Sequence, residues 1–293
     1  MKDLTQIIRS LSKPLVPIPT GILPRLKQLN NIRAVIFDIY GTLFISASGD
    51  LGSSELKDDL LYQALSETGF FIDKGKAGLI SSDSFRCTVN SQHNESKRNG
   101  IKYPEVDVVT IWGFLLRKWQ EQELITGKIS KARVKEFICR YEALTNPIWP
   151  MPFLLETLSW LSERYILGII SNAQFYTPLI FQSFLNTDLQ ELGFKEGLSV
   201  FSYLEGVAKP DLSLFEKLNK KLISFFNTPT ENTLFIGNDI KNDIFPAQKA
   251  GMKTALFAGD KRSLRLYEDD DILKKCIPSV IITELSQIKQ ILI

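Results

Sequence analysis

Residues 34–44 read AVIFDIYGTLF, and this stretch decides the fold class of the chain. Four apolar residues in a row are typical of a strand that is buried on both faces of a parallel sheet. The polar residues that follow begin with Asp38 and include Gly41 and Thr42. Because open parallel sheets bind ligands at the carboxyl ends of their strands, these residues are candidates for chemistry.

Similar apolar runs recur along the chain. Segments with helical spacing lie between most of them, and this alternation predicts an α/β domain with a doubly wound parallel sheet. The runs cover 165–170, 200–203, 233–236, 254–257 and 280–282, and the helices predicted between them cover 152–164, 210–222 and 242–250.

A long insertion separates the first apolar run from the second. Helical patterns over 55–68, 106–123 and 131–144 predict a separate helical subdomain there. The predicted organisation is an N-terminal helix with a proline-rich arm (1–31), an α/β core (32–47 and 150–293) and a helical insertion (48–149).

The composition excludes several classes of protein. Of the 293 residues, 44% are hydrophobic and 23% are charged, which is close to the globular average and excludes a disordered or fibrous chain. Lysine and arginine total 35 against 33 acidic residues, a formal net charge of +2. This balance gives no general electrostatic reason to bind nucleic acid or a membrane surface.

The number of cysteines and the N-terminal residues predict the cellular compartment. The three cysteines are far apart in sequence and His93 is the single histidine, which argues against a zinc site of the usual Cys/His type. An odd number of cysteines, no run of 18 apolar residues and no signal-peptide pattern predict a cytoplasmic protein.

Reactive side chains follow the apolar runs. A carboxylate, a hydroxyl, an ammonium group and an acidic cluster are all expected at one edge of the sheet. This is the set that hydrolysis through a covalent aspartyl intermediate requires: the first carboxylate attacks, the hydroxyl and ammonium hold negative oxygens, and the acidic cluster holds a cation. The residues are Asp38, Ser171, Lys209, Asp239 and Asp243.

Four segments in this order resemble the motifs of the haloacid dehalogenase (HAD) superfamily. They read DIYGTLF (38–44), SNA (171–173), AKPDLSLF (208–215) and GNDIKNDIFPAQKAGM (237–252). The resemblance covers roughly residues 32–47 and 150–285. It implies a hydrolase with a Rossmann-like core, and the helical insertion sits where the family carries its cap.

The resemblance also implies roles for single residues. Asp38 is expected as the nucleophile, Thr42 as its support, Ser171 as the ligand of the transferring group and Lys209 as the cation that neutralises charge. Asp239 or Asp243 is expected to bind Mg²⁺ together with Asp38 and the backbone carbonyl of Tyr40. Gly41 and Asn172, beside these residues, are expected to contact the substrate.

Tyr40 departs from the pattern of the family's phosphatases, which have a second aspartate at that position as general acid and base. A phenol with a reference pKa near 10 is a poor base at neutral pH, and loss of general acid/base help costs about 10²–10⁴-fold in rate. The DxYGT form resembles the L-2-haloacid dehalogenase branch, which needs no metal. Three hypotheses follow: a Mg²⁺-dependent phosphatase of a small phosphorylated metabolite, a 2-haloacid dehalogenase, or a binding or regulatory protein with little turnover.

The acidic motif favours a metal but is also altered. Asn238 stands where the family usually has its first aspartate. Either Asp239 takes over as ligand, or the site binds Mg²⁺ weakly. Asp243 has an alternative role, which is to pair with Lys209.

The segment 81–104 is polar and locally basic. Arg86, His93 and Arg98 are its candidates for binding a small anionic substrate, since a guanidinium grips a carboxylate or phosphate with two parallel hydrogen bonds. The alternative is a solvated surface segment.

Overall fold

The computed structural model describes residues 3–47, 58–73 and 75–292. Within these ranges the strands are short and apolar, as expected for a sheet buried on both faces. They are β1 (Ala34–Phe37), β2 (Phe44–Ser46), β3 (Phe71–Ile72), β4 (Ile125–Thr126), β5 (Ile148–Pro150), β6 (Ile166–Ser171), β7 (Phe194–Phe201), β8 (Thr233–Gly237), β9 (Lys253–Phe257) and β10 (Val280–Ile282).

The central sheet of the described chain has six parallel strands in the order β10-β9-β8-β1-β6-β7. This confirms the predicted α/β class. β1 lies in the middle, where Phe37 pairs with Ile169 on one side and Ile236 on the other. All four residues of β1 are fully buried. The carboxyl ends of β1, β6 and β8 therefore meet at one edge.

One predicted strand is wrong in its bounds. The run at 200–203 belongs to β7, which begins earlier at Phe194 and ends at Phe201. A register shift against β6 interrupts the pairing, and polar residues in the first half of β7 are exposed. A search for continuous apolar runs therefore misses that half, and Tyr203 lies in the helix that follows.

Helices cover both faces of the sheet and build a second layer above its carboxyl edge. They are α1 (Leu4–Leu11), α2 (Asp58–Glu67), α3 (Asp83–Arg98), α4 (Val108–Glu121), α5 (Lys131–Thr145), α6 (Leu154–Ser162), α7 (Thr177–Leu185), α8 (Ser202–Glu205), α9 (Leu212–Phe226), α10 (Phe245–Lys249) and α11 (Ile288–Ile291). The first three residues of the helix predicted at 55–68 lie outside the described residues.

Helices α2 to α5 share an apolar core of their own. Leu65, Trp112, Leu116 and Phe137 are buried in it, and α1 adds Ile7 and Ile8 to the same cluster. The antiparallel pair β2 and β5 forms the two connections between this helical cap and the sheet. We call α2 to α5 and their loops the cap.

The cap is hydrogen-bonded to the core beside the sheet edge. Ala208 donates its backbone N–H to the carbonyl of Tyr103 at 2.8 Å, and Glu105 donates to the carbonyl of Gly206 at 3.1 Å. Gln174, which follows β6, donates from its side chain to the carbonyl of Val106 at 2.8 Å. These bonds hold the loop before α4 against the segment that leads to Lys209.

The N-terminal arm follows the far edge of the sheet. Arg25 and Ile281 of β10 exchange backbone hydrogen bonds as an isolated antiparallel bridge. In the described ranges, none of the helices combines the length and the hydrophobicity that crossing a bilayer would require.

Candidate active site

A cavity of about 330 Å³ lies between the carboxyl edge of the sheet and the cap. The core contributes charged residues to its wall, among them Asp38, Lys209 and Asp243. The cap contributes mainly aromatic and apolar residues with two glutamates, Glu105 and Glu142. We call this space the active-site cavity.

Asp38 follows β1 directly and is only 5% exposed. Its Oδ1 accepts hydrogen bonds from Lys209 Nζ at 2.6 Å and from Ser171 Oγ at 2.9 Å. Thr42 Oγ1 lies 3.4 Å from Asp38 Oδ2, but the Thr42 hydroxyl has a closer acceptor, Asn238 Oδ1 at 2.9 Å. The two oxygens are therefore unlike, and Oδ2 keeps the lone pairs that are less engaged.

Lys209 lies between two carboxylates. Its Nζ donates to Asp38 and, at 2.5 Å, to Asp243 Oδ1. Burial favours the neutral amine, but Asp243 and Asp38 outweigh this and raise the pKa of Lys209, so the ammonium form persists at neutral pH. Asn172 Oδ1 accepts a hydrogen bond from the backbone N–H of Lys209 at 2.7 Å. This bond holds the backbone from which the Lys209 side chain extends.

Asp243 turns back toward the end of β8. Its Oδ2 accepts the backbone N–H groups of Asn238 at 3.0 Å and Asp239 at 3.1 Å. A Cβ at Gly237 would meet the Asp243 carboxyl carbon at 2.5 Å, so the close approach needs glycine. Burial raises the pKa of Asp243 to about 7, although Lys209 acts in the opposite direction. The alternative role expected for Asp243, pairing with Lys209, is the geometry observed.

Asp239 caps the turn that follows it. Its Oδ1 accepts the backbone N–H groups of Lys241 at 2.7 Å and Asn242 at 2.8 Å. Its Oδ2 accepts from the Asn242 side chain at 2.8 Å and the Tyr267 hydroxyl at 3.2 Å. Burial nevertheless raises the pKa of Asp239. Four donors occupy the lone pairs of this carboxylate.

Tyr40 lines the cavity with its ring almost fully buried. Its hydroxyl is 2.9 Å from Thr177 Oγ1, which also accepts the backbone N–H of Gln174. Burial raises the pKa of Tyr40 well above its usual value, in spite of the bond to Thr177. The phenol therefore stays protonated and is no general base at neutral pH.

The donors around Asp38 suit Mg²⁺ held by few protein ligands. Asp38, Asp239 and Asp243 set three carboxylates against the one ammonium of Lys209, an excess of hard, negative oxygen. Among the described residues, no three acidic, histidine or cysteine side chains converge as a ready metal group. Asp239 and Asp243 already accept hydrogen bonds, whereas Asp38 keeps a less engaged oxygen, Oδ2, that could bind the ion. The backbone carbonyl of Tyr40 is the further ligand that the family resemblance implies. Mg²⁺ commonly binds through one or two carboxylates plus substrate phosphate, and this donor set fits that pattern.

The structure brings most of the predicted site residues to the cavity, but not all of them. Seven line it: Asp38, Tyr40, His93, Asn172, Lys209, Asp239 and Asp243. Ser171 and Thr42 lie behind the wall and act on Asp38 rather than on the cavity.

Three predicted substrate contacts are not in the cavity wall. Gly41 has a φ of +81° and donates its N–H to the Phe44 carbonyl at 2.7 Å, so its amide serves the turn. Arg86 is exposed and pairs with Asp83 on its own helix. Arg98 is exposed at the end of α3. Neither arginine contacts the cavity, because the face of α3 that lines it carries other residues. Their positions agree with the alternative expected for this segment, a solvated surface.

Apart from His93, sequence reasoning missed the cap residues that line the cavity. Phe85, Val89 and His93 lie one turn apart on α3, and this spacing was a usable signal inside a polar segment. Glu105 and Glu142 gave no such signal, because the path of the cap brings them to the cavity, and neither did Gln174, which follows β6.

The fold is a doubly wound parallel sheet with a helical cap, and the Asp38 cluster lies at the carboxyl edge of that sheet. Residues 32–251 match the model of the haloacid dehalogenase-like hydrolase family, and the chain belongs to this family.

Similar proteins include members with different activities. A glyceraldehyde 3-phosphate phosphatase of Pyrococcus furiosus is 30% identical over 131 residues, which are 44% of this chain and 48% of that protein. The match thus spans about half the length of that relative. The crystal structure of a 2-haloacid dehalogenase from Pseudomonas syringae pv. Tomato DC3000 aligns over 89% of this chain and 97% of that chain, with a TM-score of 0.57 and 19% identity. At this identity the second match supports the shared fold alone.

Proposed function

We propose that this HAD-family hydrolase is a phosphatase that uses Asp38 as nucleophile on a small phosphomonoester. The observation that carries the proposal is the asymmetry of the Asp38 carboxylate at the cavity. Lys209 and Ser171 both donate to Oδ1, which leaves Oδ2 the freer oxygen. A carboxylate oriented in this way meets the geometric need of covalent catalysis.

In the first step the Asp38 carboxylate bonds to phosphorus and the ester P–O bond breaks, which releases the alcohol oxygen with its electron pair. Lys209, held as an ammonium by its two carboxylates, offsets charge on the phosphoryl oxygens. Water then attacks phosphorus, the P–O bond to Asp38 breaks, and inorganic phosphate leaves with Asp38 restored as a carboxylate. The proton that the water gives up balances the alkoxide released in the first step. Mg²⁺ bound at Asp38 and the Tyr40 carbonyl would neutralise part of the phosphoryl charge.

Tyr40 is a poor substitute for the aspartate that serves as general acid and base in the family's phosphatases. Tyr40 stays protonated and is bonded to Thr177, so it does not cycle between acid and base as an aspartate would. We therefore expect slow turnover and a preference for alcohols that leave without a proton.

The dehalogenase alternative shares the nucleophile but needs a cation for the substrate carboxylate. Among the described residues that line the cavity, Lys209 is the one lysine or arginine, and two aspartates already hold it. The phosphatase relative and the excess of acid beside Asp38 both favour the phosphatase. The third hypothesis is a binding or regulatory protein with little turnover.

A direct assay separates the three hypotheses. Purified protein is incubated with aryl and alkyl phosphates and with 2-haloacids, with Mg²⁺ or with EDTA, while released phosphate and halide are both measured. Phosphate release that Asp38→Asn abolishes supports the proposal. Halide release, or phosphate release that survives in Asp38→Asn, contradicts it, and no release of either kind favours the binding protein.

A further inference from the structure

The wall of the active-site cavity opposite Asp38 is apolar and acidic. Its apolar part includes the stacked pair Phe85 and Trp112, whose ring centroids are 4.6 Å apart at an interplanar angle of 14°. Its charged part consists of Glu105 and Glu142. Within the described ranges, the cap places no lysine or arginine in this wall.

Glu142 faces the cavity from α5 and acts as a hydrogen-bond acceptor. It accepts from the side chain of Asn146 at 3.1 Å and from the hydroxyl of Tyr176. Burial raises the pKa of Glu142. A cation in the cavity would stabilise the ionised carboxylate of Glu142 and so lower its pKa, whereas a second carboxylate there would raise that pKa further.

Glu105 faces the same cavity from the loop before α4. Its Oε2 accepts from Ser202 Oγ at 2.7 Å and its Oε1 from the Val106 N–H at 2.9 Å. Its pKa is also raised by burial, although both hydrogen bonds oppose this. The Gln174 side chain is a third and more distant donor, 3.5 Å from Oε1. A carboxylate has about four lone-pair sites, so Glu105 can still accept from a ligand.

His93 adds a polar atom to the apolar side. It continues the stripe of Phe85 and Val89 along α3. Its Nε2 is buried and has no hydrogen-bond partner among the described residues. Burial and Lys97 lower the pKa of His93, so the ring is neutral and supplies no positive charge for a substrate carboxylate.

We infer that the alcohol part of the substrate is a flat or apolar body that carries an ammonium group, which Glu105 and Glu142 bind, and that both glutamates discriminate against a carboxylate in that place. The inference rests on the proposed phosphatase function. A flat or apolar body contacts the apolar wall to which Phe85 and Val89 belong, and the ammonium group donates to carboxylate lone pairs that the described donors leave open. A carboxylate there would have two buried negative neighbours and no described lysine or arginine from the cap.

Three aryl phosphates that differ in one substituent test this inference. They are 4-(aminomethyl)phenyl, 4-(hydroxymethyl)phenyl and 4-carboxyphenyl phosphate. We expect kcat/KM to fall in that order, with the first at least about tenfold above the last, as a single charge-assisted hydrogen bond would give. Glu142→Gln and Glu105→Gln should each shrink this ratio severalfold. Glu121→Gln, on the exposed end of α4, is the matched control and should keep it.

Binding to Asp38→Asn, measured by calorimetry, repeats the comparison without turnover. If the wild type releases phosphate but the carboxylate compound is as good a substrate as the ammonium compound, or the ratio survives both glutamine variants, the inference is wrong and the phosphatase stands. If none of the compounds is hydrolysed, the proposed function fails, and the binding order still decides the cavity preference. Should Glu105→Gln fail to fold because it anchors the cap, Glu142→Gln and the binding order carry the test.

Discussion

Asp38 owes its asymmetry to residues that are distant in sequence. Ser171 ends β6 and Lys209 follows β7, yet both donate to the same carboxylate oxygen. Their meeting could be predicted, because parallel strands bring their carboxyl ends to one edge. Which oxygen each would contact could not, since that depends on side-chain rotamers.

Tyr40 gives a prediction about leaving groups. Because a tyrosine stands where an aspartate would protonate the departing alcohol, phosphates of acidic phenols should be hydrolysed much faster than alkyl phosphates. Tyr40→Asp should raise kcat for an alkyl phosphate by about 10²-fold or more, the lower end of general acid/base assistance. Steady-state phosphate release measures both.

Tyr40→Phe is the control for this change. It removes the hydroxyl bonded to Thr177 but adds no acid, so kcat for both kinds of substrate should change little. Equal rates for alkyl and phenolic phosphates in the wild type would contradict the assignment.

Lys209 gives a prediction about stability. Lys209→Met leaves Asp38 and Asp243 buried without their shared cation, and we expect a loss of about 3–5 kcal/mol in the free energy of unfolding. Urea denaturation followed by circular dichroism measures it. The double variant Lys209→Met/Asp243→Asn should recover part of the loss while staying inactive, and no recovery would mean that packing rather than charge sets the cost.

At the scale of elements, the turn after β8 differs from the expected helix start. Residues Ile240–Ile244 form a π-helical turn before α10. Asp239 caps this turn through both of its carboxylate oxygens. The sequence motif predicts Asp239 as a metal ligand. In the structure its carboxylate accepts hydrogen bonds from the backbone N–H groups at the start of the turn.

Asp239→Ala tests this role of the turn. Loss of the cap should cost about 1 kcal/mol in the free energy of unfolding. The Mg²⁺ concentration for half-maximal activity should stay unchanged, because Asp239 already has four hydrogen bonds. A large rise in that concentration would make Asp239 a principal metal ligand after all, and Asp271→Ala, on an exposed site, serves as control.

Helix α3 shows the limit of prediction at this scale. The segment 81–104 is polar, and its basic residues drew attention to Arg86 and Arg98. The helix turns Phe85, Val89 and His93 toward the cavity instead. The polar composition of the segment reflects the face of α3 that is exposed to solvent. The three residues at helical spacing mark the face of α3 that lines the cavity.

At the scale of the molecule, the near-neutral net charge conceals a local imbalance. The floor of the cavity has three aspartates against one lysine, and the cap adds two glutamates. The central strands, except the first half of β7, and most helices could be predicted, because burial leaves a pattern of apolar residues in the sequence. The acidic cap wall could not, because it forms only when the loop before α4 meets the segments before Lys209 and after β6.

The central claim, that Asp38 is the nucleophile, is tested most directly by trapping the covalent intermediate. Protein is mixed with the best aryl phosphate, quenched in acid within one turnover and digested, and the peptides are analysed by mass spectrometry. We expect one phosphoryl group on Asp38, lost on neutralisation and absent in Asp38→Asn. Phosphate release with no label on Asp38, or with the label on another residue, would contradict it.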